Sequence, residues 1–183
     1  MAVVNKETVF ISGVLNWVKV LDEPVPNYNK DGREWTFEIE PDEKGIELLK
    51  KHKIADRLKG KGFKIGERGQ HAERNPFLQL KKSEFTRDGN KNTLIRVYDG
   101  DDNEWDRAVK IGNGSKGDVK LDIRDYGVGK KSGVYPAAIR VTDHIPYEDK
   151  KGPEFGPLNS EDKSKPKKDT FREDFGLDDE IPV

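Results

Sequence analysis

Between residues 77 and 145 the chain is cut at short intervals by glycine- and asparagine-rich clusters. These are RDGNKN, DGDDNE, GNGSKG and GVGKKSG. The runs between them, FLQLKK (77–82), TLIRVYD (93–99), RAVKIG (107–112), GDVKLDIRDY (117–126) and VYPAAIRVTDHI (134–145), are rich in Val, Ile, Leu and aromatic residues. They are too short for ordinary helices, and turn-bounded runs of this kind predict β-strands. The N-terminal part reads the same way. Thr8–Leu21 predicts a long strand bent at Gly13, where a glycine marks a bulge or a barrel corner. In WTFEIE (35–40), Trp35, Phe37 and Ile39 share one face of a half-buried strand. Trp35 and Phe37 are expected in the core, whereas Trp17 shares a face with both Leu15 and Lys19 and is ambiguous.

One segment departs from this period. Pro41 is expected to open a helix running to about Leu58, with Asp42 and Glu43 in its first turn and Gly60 and Gly62 ending it. Ile46, Leu49, Ile54 and Leu58 would form its apolar stripe. Six or seven short strands and one helix predict a mainly β domain: a closed, antiparallel, partly Greek-key β-barrel of the OB-fold type.

After Tyr147 the composition changes to charges, prolines and small polar groups, which cannot bury a core. The expected organisation is a domain over 1–148 and a flexible linker with an acidic tail over 149–183. Residues 169–183 hold six of the chain's 35 acids and one of its 34 bases, so residues 1–168 carry a net charge of +4. On charge alone, a mildly basic body with an acidic tail fits a solubilising tail on an ordinary domain as well as a tail with its own task; the apolar residues kept among the acids of REDFGLDDEIPV are the pattern of a binding peptide.

Several chemistries are disfavoured. There is no cysteine, which excludes disulfides, thiolate zinc sites and thiol catalysis. His52, His71 and His144 have no ligand-type spacing. GNGSKGD lacks the GK[ST] ending of a P-loop, and Asp101 and Asp102 lie in a turn-like run. No enzyme activity, metal or cofactor is expected. The N-terminus lacks the basic and apolar regions of a secretory signal, and no run of 18 apolar residues occurs. A cytoplasmic protein without a membrane span is expected.

Holding a single nucleic-acid strand requires cations along the phosphates and flat side chains beneath the bases. Several segments interleave the two. Tyr28 precedes Lys30 and Arg33, and Phe63 sits between Lys61 and Lys64. Phe77 is followed by Lys81 and Lys82, and Trp105 by Arg107. Tyr126 follows Arg124 and precedes GVGKKSG, with Lys130 and Lys131 at the tip and Tyr135 beyond. The expected contacts are Tyr28, Arg33, Phe63, Lys64, Lys81, Lys82, Trp105, Arg107, Lys116, Tyr126, Lys130 and Lys131. A groove lined by Tyr28, Phe63, Trp105 and Tyr126 would bind a strand without reading its sequence. A small-barrel protein–protein adaptor and an RNA-binding OB protein are the alternatives.

Two segments resemble a known family. Residues 111–148 are similar to the closing strands of phage single-stranded DNA-binding proteins: Gly112, Gly114, Ser115 and Lys116 match a glycine-rich turn, and Tyr126 matches a tyrosine that contributes to DNA binding there. The tail DFGLDDEIPV resembles the family's acidic tip, with Val183 where a terminal Phe is common. The resemblance implies an OB fold, binding of single-stranded DNA and a role in replication, recombination and repair in the infected bacterial cell. It also implies that Asp174, Phe175, Asp178, Asp179, Glu180, Ile181, Pro182 and Val183 dock on replication proteins such as a polymerase, a helicase/primase or a recombinase, and that the chain can form a homodimer.

Overall fold

The computed structural model describes residues 2–64 and 69–148. The expected acidic tail, 149–183, lies outside the described residues. The chain runs β1 (Asn5–Lys19), β2 (Val25–Pro26), β3 (Arg33–Pro41), α1 (Glu43–Lys51), β4 (Leu78–Ser83), β5 (Arg96–Tyr98), β6 (Ser115–Asp125) and β7 (Gly133–Asp143). The fold is mainly β with one α-helix, as the turn-bounded pattern predicts.

β1 organises the sheet. It pairs antiparallel with β3 on one side and with β6 on the other. β4 continues the sheet from β3, and β7 and then β5 continue it from β6, with β5 parallel to β7. A long first strand shared between a meander and a hairpin is the wiring of an OB-type barrel, which is partly open. The sheet curves far enough to bring β4 alongside β7. No ladder joins those two strands among the described residues, so the closed barrel expected from the sequence is corrected to an open one.

The interior follows the alternation in the sequence. Val9, Ile11 and Leu15 of β1, Trp35, Phe37 and Ile39 of β3, Leu78 and Leu80 of β4, and Val119, Leu121 and Ile123 of β6 are all buried. At the middle of the sheet Gly13 faces Gly117 across the β1–β6 ladder. A Cβ on either would stand on a neighbouring carbonyl, that of Glu40 or of Arg140. This close backbone approach is why both positions are glycine.

Three local expectations are corrected. Pro41 ends β3 and does not start the helix: Asp42 is the N-cap, its Oδ1 accepting from the Gly45 amide at 2.7 Å. The helix stops at Lys51 and is followed by a 3-10 turn at Ala55–Arg57; Leu49, Ile54 and Leu58 are nevertheless buried. Residues 107–112 form turns with one isolated bridge, Ile111 to Pro146, and not a strand.

A bulge near the end of β1 settles Trp17. The register with β3 slips between Asn16 and Lys19. The core-facing parity therefore changes from Val9, Ile11 and Leu15 to Val18 and Val20. Trp17, which the original parity would turn inward, is 57% exposed and has a left-handed backbone, φ 51°. Asn113 Oδ1 accepts from its amide at 2.8 Å, and Asn16 Oδ1 accepts from the Gly114 amide at 3.1 Å.

Candidate functional site

The β6–β7 hairpin brings two tyrosine rings and an arginine together. Arg124 leaves the outer face of β6 opposite Gly133 of β7. Tyr135, two residues on, lies on the same face and folds back across Gly133. The Arg124 guanidinium covers its ring at 4.4 Å from the centroid. Tyr126, just past the end of β6, shares a 2.8 Å hydrogen bond between its hydroxyl and that of Tyr135. That bond, helped by burial, holds the Tyr135 hydroxyl above the usual tyrosine range, against the opposing pull of Arg124 and Arg57. Tyr135 therefore stays a neutral phenol through the physiological range.

Arg57 joins the hairpin to the helical segment by donating to the Ser132 carbonyl at 2.6 Å. Between them opens a cleft of about 610 Å³, bordered by the 127–132 turn, the start of β1 and the end of α1. Five cations line it: Lys51, Lys53, Arg57, Lys130 and Lys131. Its acids already have partners. Glu7 meets His52 at 2.9 Å, Asp56 meets Lys131 at 3.8 Å, and Asp125 accepts from the Gly127 amide at 2.9 Å. Five cations against three acids leave the cleft net positive, which favours an anion, and the tyrosine pair beside it supplies flat surface.

Lys82 extends the cationic field from the β4 side. Burial lowers its pKa; Asp122 acts against that shift and Arg124 adds to it. Its ammonium also donates to Thr93 Oγ1 at 3.0 Å. Asp122, which lies between Arg124 and Lys120 along the outer face of β6, is held below the usual carboxylate range. Burial opposes this, but the Thr8 hydroxyl and the Lys6 ammonium outweigh it.

The residues expected from sequence fall into separate groups. Tyr126, Lys130 and Lys131 belong to the cleft and its rim, with Lys82 nearby. Tyr28, 95% exposed, stands on the segment between β1 and β3. Lys81 is exposed on β4 and meets Glu34 at 3.5 Å. Lys116 is exposed at the start of β6, and Lys64 is exposed in the 60–64 turn.

Others are engaged in the fold. Arg33 makes a two-pronged pair with the buried Glu84, at 2.7 and 2.8 Å. Arg107 donates to the carbonyls of Val20 and Leu21. Phe63 packs against the core. Trp105 packs edge-on to His144 and donates to the Val109 carbonyl at 2.9 Å. Tyr126 and Trp105 consequently mark opposite ends of β7, one beside Tyr135 and the other beside His144, about 30 Å apart along the strand. They do not line one groove.

Arg57, Lys51, Lys53, Arg124 and Tyr135 are not among the contacts expected from sequence. Arg124 and Tyr135 could have been found by pairing the hairpin about its turn, which sets Arg124 opposite Gly133. Lys51, Lys53 and Arg57 could not, because only the tertiary packing of α1 brings them to the hairpin.

No protein-family model matches the chain, and no curated protein matches it. Solved structures do. The crystal structure of gp2.5, a single-stranded DNA binding protein encoded by bacteriophage T7, has a TM-score of 0.49 at 12% identity, over 85% of this chain and all of that one. The C-terminally truncated single-stranded DNA-binding protein from bacteriophage Enc34 gives 0.49 at 11% identity, over 76% of this chain and 88% of that one. The Enc34 protein in complex with ssDNA gives 0.48 at 10% identity, over 77% and 89%.

Proposed function

We propose that this chain binds single-stranded DNA without base-specific readout. The observation that carries the proposal is the Arg124–Tyr135–Tyr126 grouping at the rim of a cleft lined by five cations. Rings that offer a stacking surface and cations that meet phosphates are what a flexible, sequence-independent polymer of bases requires. Tyr135 and Tyr126 take bases; Lys130, Lys131, Arg57 and Lys82 take phosphates; Tyr28 offers a further exposed ring from the segment between β1 and β3. The action is binding, not catalysis.

The biological setting follows the acidic tip. We propose coating of exposed strands during phage DNA replication, recombination and repair in the host cell, with residues 174–183 recruiting replication proteins. With six acids against one base, residues 169–183 repel a phosphate backbone.

A gel-shift with labelled poly-dT tests the binding, with poly-U as competitor and a magnesium incubation to look for cleavage. Retarded poly-dT, displaced poorly by poly-U and left intact, is expected. Absence of a shift at low salt would favour a protein–protein adaptor, and preferential displacement by poly-U an RNA-binding protein. Removing residues 169–183 is expected to tighten DNA binding and abolish partner recruitment.

A further inference from the structure

The outer face of β1 and β6 carries a pattern that the tyrosine site does not use. Along β6 the outward residues alternate Lys116, Asp118, Lys120, Asp122, Arg124. Both acids are committed. Asp118 accepts from Ser12 at 2.6 Å and from Arg140 at 2.6 and 3.0 Å. Asp122 accepts from Thr8 at 3.0 Å and pairs with Lys6 at 3.2 Å. The cations repeat every four residues, about 13 Å apart at the rise of a strand. Lys116 and Lys120 are exposed and enter none of the ion pairs found among the described residues.

Rings accompany this row. Phe10 lies opposite Lys120 in the β1–β6 ladder and is 65% exposed. The same row continues through Ala138 to Arg96 on β5, and Phe10, Lys120 and Arg96 border one groove. Past Lys116, the β1 bulge turns Trp17 outward with a left-handed backbone that a bulky side chain adopts only under strain. A bulge that re-aims a side chain and a strained residue whose amide is held by Asn113 are devices found at functional positions. The exposed rings are spaced along the cation row, not gathered into one apolar patch, which suits a polyanion with bases more than a protein face.

We infer that this face is a second stretch of the single-strand path, carrying the DNA from Tyr135 along Lys120 and Phe10 to Lys116 and Trp17. It adds about 27 Å between Arg124 and Lys116. The inference rests on the proposed DNA binding and deepens it by assigning the strand's course beyond the hairpin.

The test compares oligo-dT of about 4 and about 16 nucleotides, the ends of the range of site sizes per OB fold. Binding is measured with the full chain and with Phe10→Ala, Lys120→Ala and Trp17→Gly. Phe10 and Lys120 are exposed, and glycine accepts the left-handed backbone at 17, so each variant keeps the fold. The ring variants are expected to lose roughly five- to 150-fold in affinity for the long oligonucleotide, the effect of one stacked base, and to bind the short one as before. Lys120→Ala is expected to lower the salt slope for the long oligonucleotide by about 0.7. Unchanged long-oligonucleotide binding in all three, with Tyr135→Ala still impaired, would overturn the path and leave the proposed function standing. Binding of neither length would overturn both. A fall in solution mass in Phe10→Ala with unchanged binding would reassign the face to self-association.

Discussion

A Cβ placed on Gly133 would stand 2.5 Å from Cε2 of Tyr135 and 2.9 Å from its hydroxyl. The glycine is what lets the ring lie back along its own strand, where Arg124 covers it and Tyr126 holds its hydroxyl. Gly133→Ala is therefore expected to push the ring off this position while leaving the barrel core intact, since residue 133 faces outward. Affinity for oligo-dT should fall nearly as far as in Tyr135→Ala, by about 1–3 kcal/mol, the contribution of one stacked base. Fluorescence anisotropy titrations, with thermal melts to confirm folding, check this. Wild-type affinity in Gly133→Ala would separate the ring's position from binding.

Tyr126→Phe keeps a ring and removes the hydroxyl bond. Because that bond is the largest cause of the raised Tyr135 pKa, Tyr135 is expected to ionise closer to the ordinary tyrosine value. Loss of one partly exposed hydrogen bond should lower stability by no more than about 1 kcal/mol. The sign is that of a group with a raised folded pKa. Its contribution is complete below the unfolded value of about 10 and is lost as pH rises through the folded one. An alkaline absorbance titration reads the shift directly.

Phosphate contacts are countable by salt. Each one lost should reduce the slope of log K against log salt by about 0.7 for a single strand. Lys130→Ala and Lys131→Ala are expected to show this reduction, whereas Arg107→Ala should leave the slope unchanged and cost stability through the freed carbonyls of Val20 and Leu21.

On the acid side, burial opposes ionisation of Asp118, but its bonds to Ser12 and Arg140 outweigh it and its pKa is lowered. A depressed folded pKa contributes stability above the unfolded value, about 3.9 for aspartate, that disappears as pH falls through the folded one. Asp118→Asn should therefore flatten the loss of stability below about pH 4. Urea midpoints measured between neutral pH and pH 3 test this.

Much of the barrel was legible because its strands alternate: Trp35, Phe37 and Ile39 go where their period sends them. The open seam was not, since pairing between distant strands such as β4 and β7 leaves no local trace. Trp17 could not be placed because a bulge, which sequence does not locate, inverts its face. Arg33, Arg107 and Phe63 look like contacts in a list of cations and rings. Whether a carboxylate, a carbonyl or the core already holds such a group is decided by partners 51, 86 or more residues away, or by tertiary packing. That Tyr126 stands beside Lys130 and Lys131 was legible because its turn and its neighbours are contiguous in the chain.

The central claim is that a stacked tyrosine beside a cationic cleft binds a strand of bases. Its most direct measurement is titration of the full chain and of Tyr135→Ala with labelled oligo-dT over a range of salt. The account predicts binding by the wild type that weakens steadily with salt, and a loss of roughly 1–3 kcal/mol in the variant with nearly the same salt slope. Equal affinities for the two proteins, or no binding at the lowest salt, would contradict it.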